Sequence, residues 1–528
     1  MTPIVRALVK TNCYQDSVAL MRLASEVKKL PGVQEAAAMM GTPANKVILA
    51  EAGLDAPEIG PAQPNDLILA VRAGGAAAAE AGLARAEELL TSRQAQVSAA
   101  AAFRPRTLET AARTLPGANL ALISVPGEYA EAEAARALRL GLHVLLFSDN
   151  VPVEAERRLK DLAVSRDLLM MGPDCGTALL GGVPLAFANV VPRGAVGIVS
   201  ASGTGLQEVS CLLAAAGEGV SHGIGVGGRD LGDAIQGRMT LHALRALAAD
   251  PATEVLVLIS KPPSAAVAAK VFQALEAAGK PAAICCLGLA AADRPVPSPR
   301  LTFVDTLEEA AQAAAALRRG LPFRPRPFTV DLEEAELLAA GQAHRLRGHQ
   351  TAVRGIFAGG TLAHEALLIL GALAGPVASN LKQPDMAPDA VEGHAVWDLG
   401  ADEFTRGRPH PMLDGTLRRE FLRREADDPA VGVILLDVVL GHGAHADPAG
   451  DILPGIRAAK AAAERKRQGL VFVGSVCGTA KDPQDLHAQC EKLEDVGVVL
   501  MPSNAQAARL AALIATRGAA MPRLRAGC

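Results

Sequence analysis

Gly197-Ile-Val-Ser-Ala-Ser-Gly-Thr-Gly-Leu-Gln-Glu208 is the stretch from which the fold is read. An apolar run (195–200) ends in a Ser/Gly turn and opens into a helical stretch, giving strand, Gly-Thr turn and helix. The pattern returns at Gly355-Ile-Phe-Ala-Gly-Gly-Thr-Leu-Ala-His-Glu365. Downstream, Asp250-Pro-Ala-Thr-Glu-Val-Leu-Val-Leu-Ile259 pairs in the same way with Asp428-Pro-Ala-Val-Gly-Val-Ile-Leu-Leu-Asp437. Two copies of one order, each with continuous apolar strands joined by helices, predict a duplicated flavodoxin-like module with a parallel sheet covered on both faces.

Outward from these repeats, apolar runs at 254–260, 281–287, 431–437, 469–475 and 496–502 read as strands, and 264–278, 452–467 and 503–516 as helices. Residues 1–100 read differently: strand, helix, two strands and a long helix (76–93) predict a small α+β unit. A further unit is expected over 105–192, with strands at 120–126 and 143–148 and helices at 130–140 and 153–166. The first module is placed at 194–320 and the second at 349–528. Between them, 321–348 is assigned as linker because 319–329 carries three prolines and no apolar period.

The 528 residues are 50% hydrophobic but only 3% aromatic, so the cores are built from Ala, Leu, Val and Ile. Fifty-two basic and 56 acidic residues leave a net charge of −4. That balance and the aromatic shortage argue against nucleic-acid binding. The most lipid-like run, 366–378, is shorter than the roughly 20 apolar residues of a membrane span, and the first residues lack a signal-peptide pattern. Eight scattered cysteines without CxxC read as reduced thiols, so a cytoplasmic location and no metal site are expected.

Ligands gather at the carboxyl ends of parallel strands. Ser202-Gly-Thr-Gly205 opens a helix there, and its N–H groups and dipole suit a phosphate as well as a plain N-cap. Gly359, Gly360 and Thr361 are its counterpart. Gly441-His-Gly443 and His445 precede helix 452–467 with two imidazoles, and Lys261 places a cation on the equivalent loop of the first copy. Arg229, in Gly227-Gly-Arg-Asp230, either holds an anion or stands in a turn. Cys175 reads as a buried thiol rather than a nucleophile.

The stretch 118–320 resembles the α subunit of succinyl-CoA synthetase and related NDP-forming acyl-CoA synthetases, through ISVPGEYAEAEAARALRLGLHVLLFSDNVP (123–152), GPDC (172–175), GIVSASGTGLQE (197–208) and GIGVGGRD (223–230). The stretch 395–516 is similar to the CoA-ligase domain of the β subunit, through VWDLGADEF (396–404) and ILLDVVLGHGAHAD (434–447). Fused behind an unrelated N-terminal unit, they resemble the FdrA family. The resemblance implies an α/β chain: a Rossmann-like CoA-binding-type domain at 105–192 and two succinyl-CoA synthetase-like modules.

In the synthetases two helix N-termini face a phosphohistidine; by resemblance they fall on Ser202-Gly-Thr204 and Gly441-His-Gly443. The phosphohistidine loop falls at 286–305, which here contains no His. The carboxylate that steadies it falls near Lys261, a cation. The Gly-rich first turn for CoA is missing, which puts CoA binding in doubt, and no ATP-grasp segment exists.

Family resemblance therefore implies a subunit of oxamate carbamoyltransferase, working with two companion proteins in allantoin breakdown: oxalurate + phosphate ⇌ oxamate + carbamoyl phosphate. Phosphate or carbamoyl phosphate would rest on Ser202, Gly203, Thr204, Gly205, Gly441, Gly443, Gly359, Gly360 and Thr361, with Arg229. His442, His445 and Lys261 would serve the carbonyl chemistry. The alternatives are an NDP-forming acyl-CoA synthetase and a non-catalytic scaffold.

Overall fold

The computed structural model describes residues 3–15, 17–98, 105–296, 298–384, 386, 391–406 and 408–526. The chain divides into two units, Met1–Val151 with Asp402–Asp414, and Pro152–Ala401 with Gly415–Cys528. The division falls inside the segment 105–192.

In the first unit, β1 (Ile4–Lys10), β2 (Val33–Met40) and β3 (Leu67–Ala73) form an antiparallel sheet in the order β1-β3-β2. The two-residue period of β3 decides its two faces. Leu67, Leu69 and Val71 pack with Leu20, Leu23 and Val27 of α1 (Ser17–Lys28) and with Ala86 and Leu90 of α3 (Ala76–Ser98). Ile68 and Ala70 face the other way, onto Leu49 of α2 (Pro43–Glu51) and Leu54 and Ile59. Helix α4 (Leu108–Thr114) leads to a parallel pair, β4 (Leu120–Ile123) and β5 (His143–Leu146), joined by α5 (Gly127–Arg139).

The second unit begins with α6 (Val153–Ser165), β6 (Met170–Met171) and a hairpin of β7 (Thr177–Leu180) and β8 (Val183–Ala186). The first module follows as β9 (Arg193–Ser200), α7 (Gly203–Ala215), β10 (Val220–Gly225), α8 (Arg238–Ala249), β11 (Val255–Ser260), α9 (Ala265–Ala277), β12 (Ala282–Cys286), β13 (Leu301–Val304) and α10 (Leu307–Arg318). Its sheet runs β13-β12-β11-β9-β10-β7-β8. The parallel part is thus 5-4-3-1-2 in module order, the flavodoxin-like arrangement, and the hairpin extends it antiparallel. The 321–348 segment expected as linker contains α11 (Leu332–Ala343), which buries Ala335, Ala339 and Ala343. Its prolines end before Asp331, and a helix starts there.

The second module is β14 (Ala352–Phe357), α12 (Gly360–Leu373), β15 (Val377–Ser379) and β16 (His394–Asp398). The chain then contributes α13 (Asp402–Thr405) to the first unit and returns as α14 (Thr416–Glu425), β17 (Val431–Val439), α15 (Pro448–Arg465), β18 (Val471–Cys477), α16 (Leu486–Asp495), β19 (Val498–Leu500), α17 (Asn504–Ala515) and α18 (Met521–Ala526). The parallel order β15-β16-β14-β17-β18-β19 repeats that of the first module with one extra edge strand. Every residue of β17 is buried, as a central parallel strand under helices on both faces requires. Each Val, Ile or Leu so buried contributes about 1.5–3 kcal/mol.

The modules are joined by a reciprocal exchange. Glu208, sixth residue of α7, accepts from the N–H of Asn504, the first residue of α17, at 3.1 Å. Glu365, sixth residue of α12, accepts from the N–H of Leu307, the first residue of α10, at 2.7 Å. Each module thus caps a helix N-terminus of the other with a buried glutamate side chain.

Candidate functional site

The strand order reverses between β9 and β11 in the first module and between β14 and β17 in the second, and the Gly-Thr turns that start α7 and α12 lie there. Ser202 is extended (φ −140°, ψ 126°) and its hydroxyl accepts from Gly205 N at 2.9 Å, capping α7. Gly205 is required: a Cβ there would stand 2.8 Å from Ser202 Oγ and 3.0 Å from Ile259 Cγ2. The two helix starts meet. Ser202 Oγ and Thr361 Oγ1 share a hydrogen bond, and Thr361 N donates to Thr204 Oγ1 at 3.4 Å.

The two residues before α12 hold a carboxylate of the chain. Ala358 N and Gly359 N donate to the two carboxylate oxygens of Asp437 at 2.9 and 2.8 Å. Asp437 is fully buried at the end of β17, where Arg418 bonds its carboxylate at 3.1 Å and its carbonyl at 2.6 Å. Burial pushes the Asp437 carboxyl up, opposed by Arg418 and the two amides. A Cβ on Gly360 would fall 2.6 Å from Asp398 Oδ2. Of the three residues expected to cradle a phosphate, Gly359 and Thr361 thus have their amides bonded within the chain, and Gly360 lies beside Asp398.

The 441–443 loop is also spent. Gly441 N donates to Gln484 Oε1 at 3.0 Å and His442 N to Ala188 O at 2.8 Å. Asn189 fixes the same loop, donating to Leu440 O at 3.0 Å and Asp482 Oδ2 at 2.8 Å. The glycines serve this close approach. Gly441 has φ +108°, and a Cβ there would stand 2.7 Å from Ala188 O; a Cβ on Gly443 would stand 2.8 Å from the Phe187 ring. Gly441 and Gly443 thus let this loop clamp residues 187–190. His442 is exposed; His445 Nδ1 accepts from Asp447 N at 3.0 Å, within the turn that caps α15.

Arg229 does not face these turns as a lone cation. Its Nε pairs with Glu156 Oε2 at 2.9 Å, beside fully buried Lys160, which bonds Glu156 at 2.7 Å, Asp230 at 2.8 Å and Val226 O at 2.8 Å. Asp230 in turn accepts from Met239 N and Thr240 N. The GIGVGGRD stretch thus anchors α6 and α8, and Arg229 is engaged there with Glu156. Cys175 is buried, and burial pushes its thiol up to about 12, which leaves it protonated and inert. Lys261 projects exposed from the end of β11.

Three groups that sequence reasoning misses lie close by. Burial pushes Glu208 up to about 7 and Glu365 up to about 8. Their signal was present, since Glu closes both copies of the repeat. His364 is half-buried on α12, and burial, with Lys261 and Lys382 adding to it, holds its imidazole below the usual range. Its only sequence signal was its place inside the second repeat.

Residues 1–105 match the family model described as AllF, heavy metal-associated domain, and residues 356–514 match that described as CoA-ligase. A heavy metal does not fit the first segment: it holds one cysteine, Cys13, and no histidine. Among the described residues no group of three or more His, Cys, Asp or Glu side chains could hold an ion, and no helix is long and apolar enough to cross a membrane.

The succinate–CoA ligase (ADP-forming) subunit alpha of Aquifex aeolicus (strain VF5) is 30% identical over 154 residues, 28% of this chain and 48% of that subunit. The ADP-forming sulfoacetate-CoA ligase subunit SauD of Bilophila wadsworthia (strain 3_1_6) is 28% identical over 151 residues, 27% of this chain and 50% of that subunit. The chain spans about half the length of these ligase subunits. It is CoA-ligase-like in its modules. Protein YahF of Escherichia coli (strain K12) is 42% identical over 513 residues, 96% of this chain and 98% of that protein. The chain belongs to the YahF family.

Proposed function

We propose that this chain is an acyl-CoA-synthetase-like subunit that handles phosphate directly, without a phosphohistidine relay. One observation carries the reading: the start of α7 lies at the switch point, where it meets the start of α12 through Ser202 Oγ and Thr361 Oγ1. The N–H groups of Gly203 and Thr204 lie in the first turn of α7, where helix geometry supplies no acceptor. The loop 286–305 offers no imidazole to attack a phosphoryl group. A phosphate held at the start of α7 therefore meets its acyl partner directly.

The finer reading is carbamoyl transfer between phosphate and oxamate, supported by the resemblance to the FdrA family and by the missing relay histidine. A second reading, NDP-forming acyl-CoA ligation, is favoured by the named activities of the succinate–CoA and sulfoacetate–CoA ligase relatives. Co-expression with its neighbouring gene products and two assays separate them. The first reading expects phosphate-dependent cleavage of oxalurate and no acid-labile protein phosphate after incubation with labelled ATP. Labelled His442 together with a CoA thioester product overturns it in favour of ligation. Intact complexes whose turnover is unchanged in Ser202→Ala and Lys261→Ala make the chain a scaffold.

A further inference from the structure

Helix α11 has an inner face and an outer one. Ala335, Ala339 and Ala343 are buried on the inner face, where the helix packs on α17. Glu334, Leu338 and Gly341 are exposed and follow one another at four and three residues, so they share the outer face. The right-handed turn runs on past Ala343, with His344 at φ −60° and Arg345 N donating to Gln342 O at 3.1 Å. Exposed Arg345, four residues beyond Gly341, therefore continues the stripe. Leu338 is 36% exposed, and Leu337 beside it is 74% exposed. Among the described residues neither Glu334 nor Arg345 has an ion-pair partner, although Glu336 at the flank pairs with Arg525 at 3.2 Å. Glycine weakens a helix interior relative to alanine, yet a Cβ on Gly341 would meet no described atom within 4 Å.

The stripe is its own complement. Leu338 and Gly341 stand equally far from a midpoint between Ala339 and Ala340, and Glu334 and Arg345 share that midpoint. Across a twofold axis at this point, two antiparallel copies of α11 set Glu334 opposite Arg345 twice. Each Leu338 then faces the open space above the opposite Gly341. We propose that this face of α11 is the contact of a symmetric homodimer, the partner being a second copy of this chain. Symmetry selects that partner, because an unrelated surface places no demand on how acid and base are spaced about one point. The charges at both ends fix the register; in a parallel arrangement like charges would meet. Gly341 lets the backbones approach, and the leucines exclude water between them. A twofold contact closes on itself, so the assembly stops at two.

Sedimentation velocity of the full chain over a micromolar concentration series tests the contact. Wild type should sediment as a dimer that dissociates on dilution. Glu334→Arg and Arg345→Glu should each weaken it on the order of tenfold, since each sets like charges opposite one another at both ends. An equimolar mixture of those two variants restores opposite charges in the mixed pair and should recover wild-type affinity. Gly341→Leu fills the space that Leu338 enters and should leave a monomer whose circular dichroism matches that of wild type. A wild type that stays monomeric throughout, or a dimer that all three variants leave intact, overturns the proposal. Weakened single variants with no recovery on mixing overturn the antiparallel pairing with a second copy.

Discussion

Asp437 is the residue on which the site turns. In the first copy of the repeat this place is Ile259; in the second it is a carboxylate that accepts from the amides of Ala358 and Gly359, just before α12, and pairs with buried Arg418. Asp437→Asn keeps the shape and leaves the Arg418 charge buried without its partner. Urea unfolding should show a loss of about 3–5 kcal/mol. The glutamates at the exchange between modules make stability depend on pH. Glu208 at about 7 and Glu365 at about 8 lie above the 4.5 of an unperturbed glutamate, so the folded state binds more protons than the unfolded one in this window. Stability is therefore full below pH 4.5 for these groups and falls as pH rises through 7 and 8. The double variant Glu208→Gln, Glu365→Gln should flatten the thermal-stability profile between about pH 5 and 8; an unchanged slope would assign it to other groups. Sequence alone displayed Glu208 and Glu365 at matching places in the repeat, and Asp437 where the first copy has Ile259. It did not display their partners, because an acceptor 79 residues away, as Asp437 is from Ala358, leaves no local trace.

At the scale of elements, the duplicated strand–turn–helix was legible because period and turn chemistry are local properties. Both parallel sheets follow from it. What was not legible is how loops close on one another. The GIGVGGRD and LGHGAHAD stretches carry glycines and charges that resemble anion loops, yet they hold α6 and α8 together and clamp residues 187–190. Glycine for close backbone approach and glycine for anion binding look the same in sequence. Helix α11 was hidden behind a proline-rich start. The first turn of α7 is the element that kept both uses open. Ser202→Ala removes the cap on Gly205 N and the hydroxyl contact with Thr361, so the chain should lose about 1 kcal/mol in chemical unfolding. Phosphate affinity should fall with it if α7 supports the bound anion; a stability loss with unchanged affinity would separate the cap from the site.

For the whole molecule, the division into units was the least legible feature. No composition shift marks Asp402–Asp414, and the excursion of these residues to the first unit depends on contacts such as Ser25 Oγ with Asp414 Oδ2 at 2.8 Å. The division nevertheless makes a sharp statement about the site. Ser202, Lys261, Asp437 and the glutamate exchange all belong to Pro152–Ala401 and Gly415–Cys528. A polypeptide running from 152 to 401 and joined by a flexible linker to 415–528 retains both sheets and every one of these groups. It should unfold cooperatively and bind inorganic phosphate with an affinity within about threefold of the full chain, since long insertions and their removal at a unit boundary cost little loop entropy. Cooperative unfolding with phosphate binding lost would overturn the placement of the phosphate ligands in Pro152–Ala401 and Gly415–Cys528.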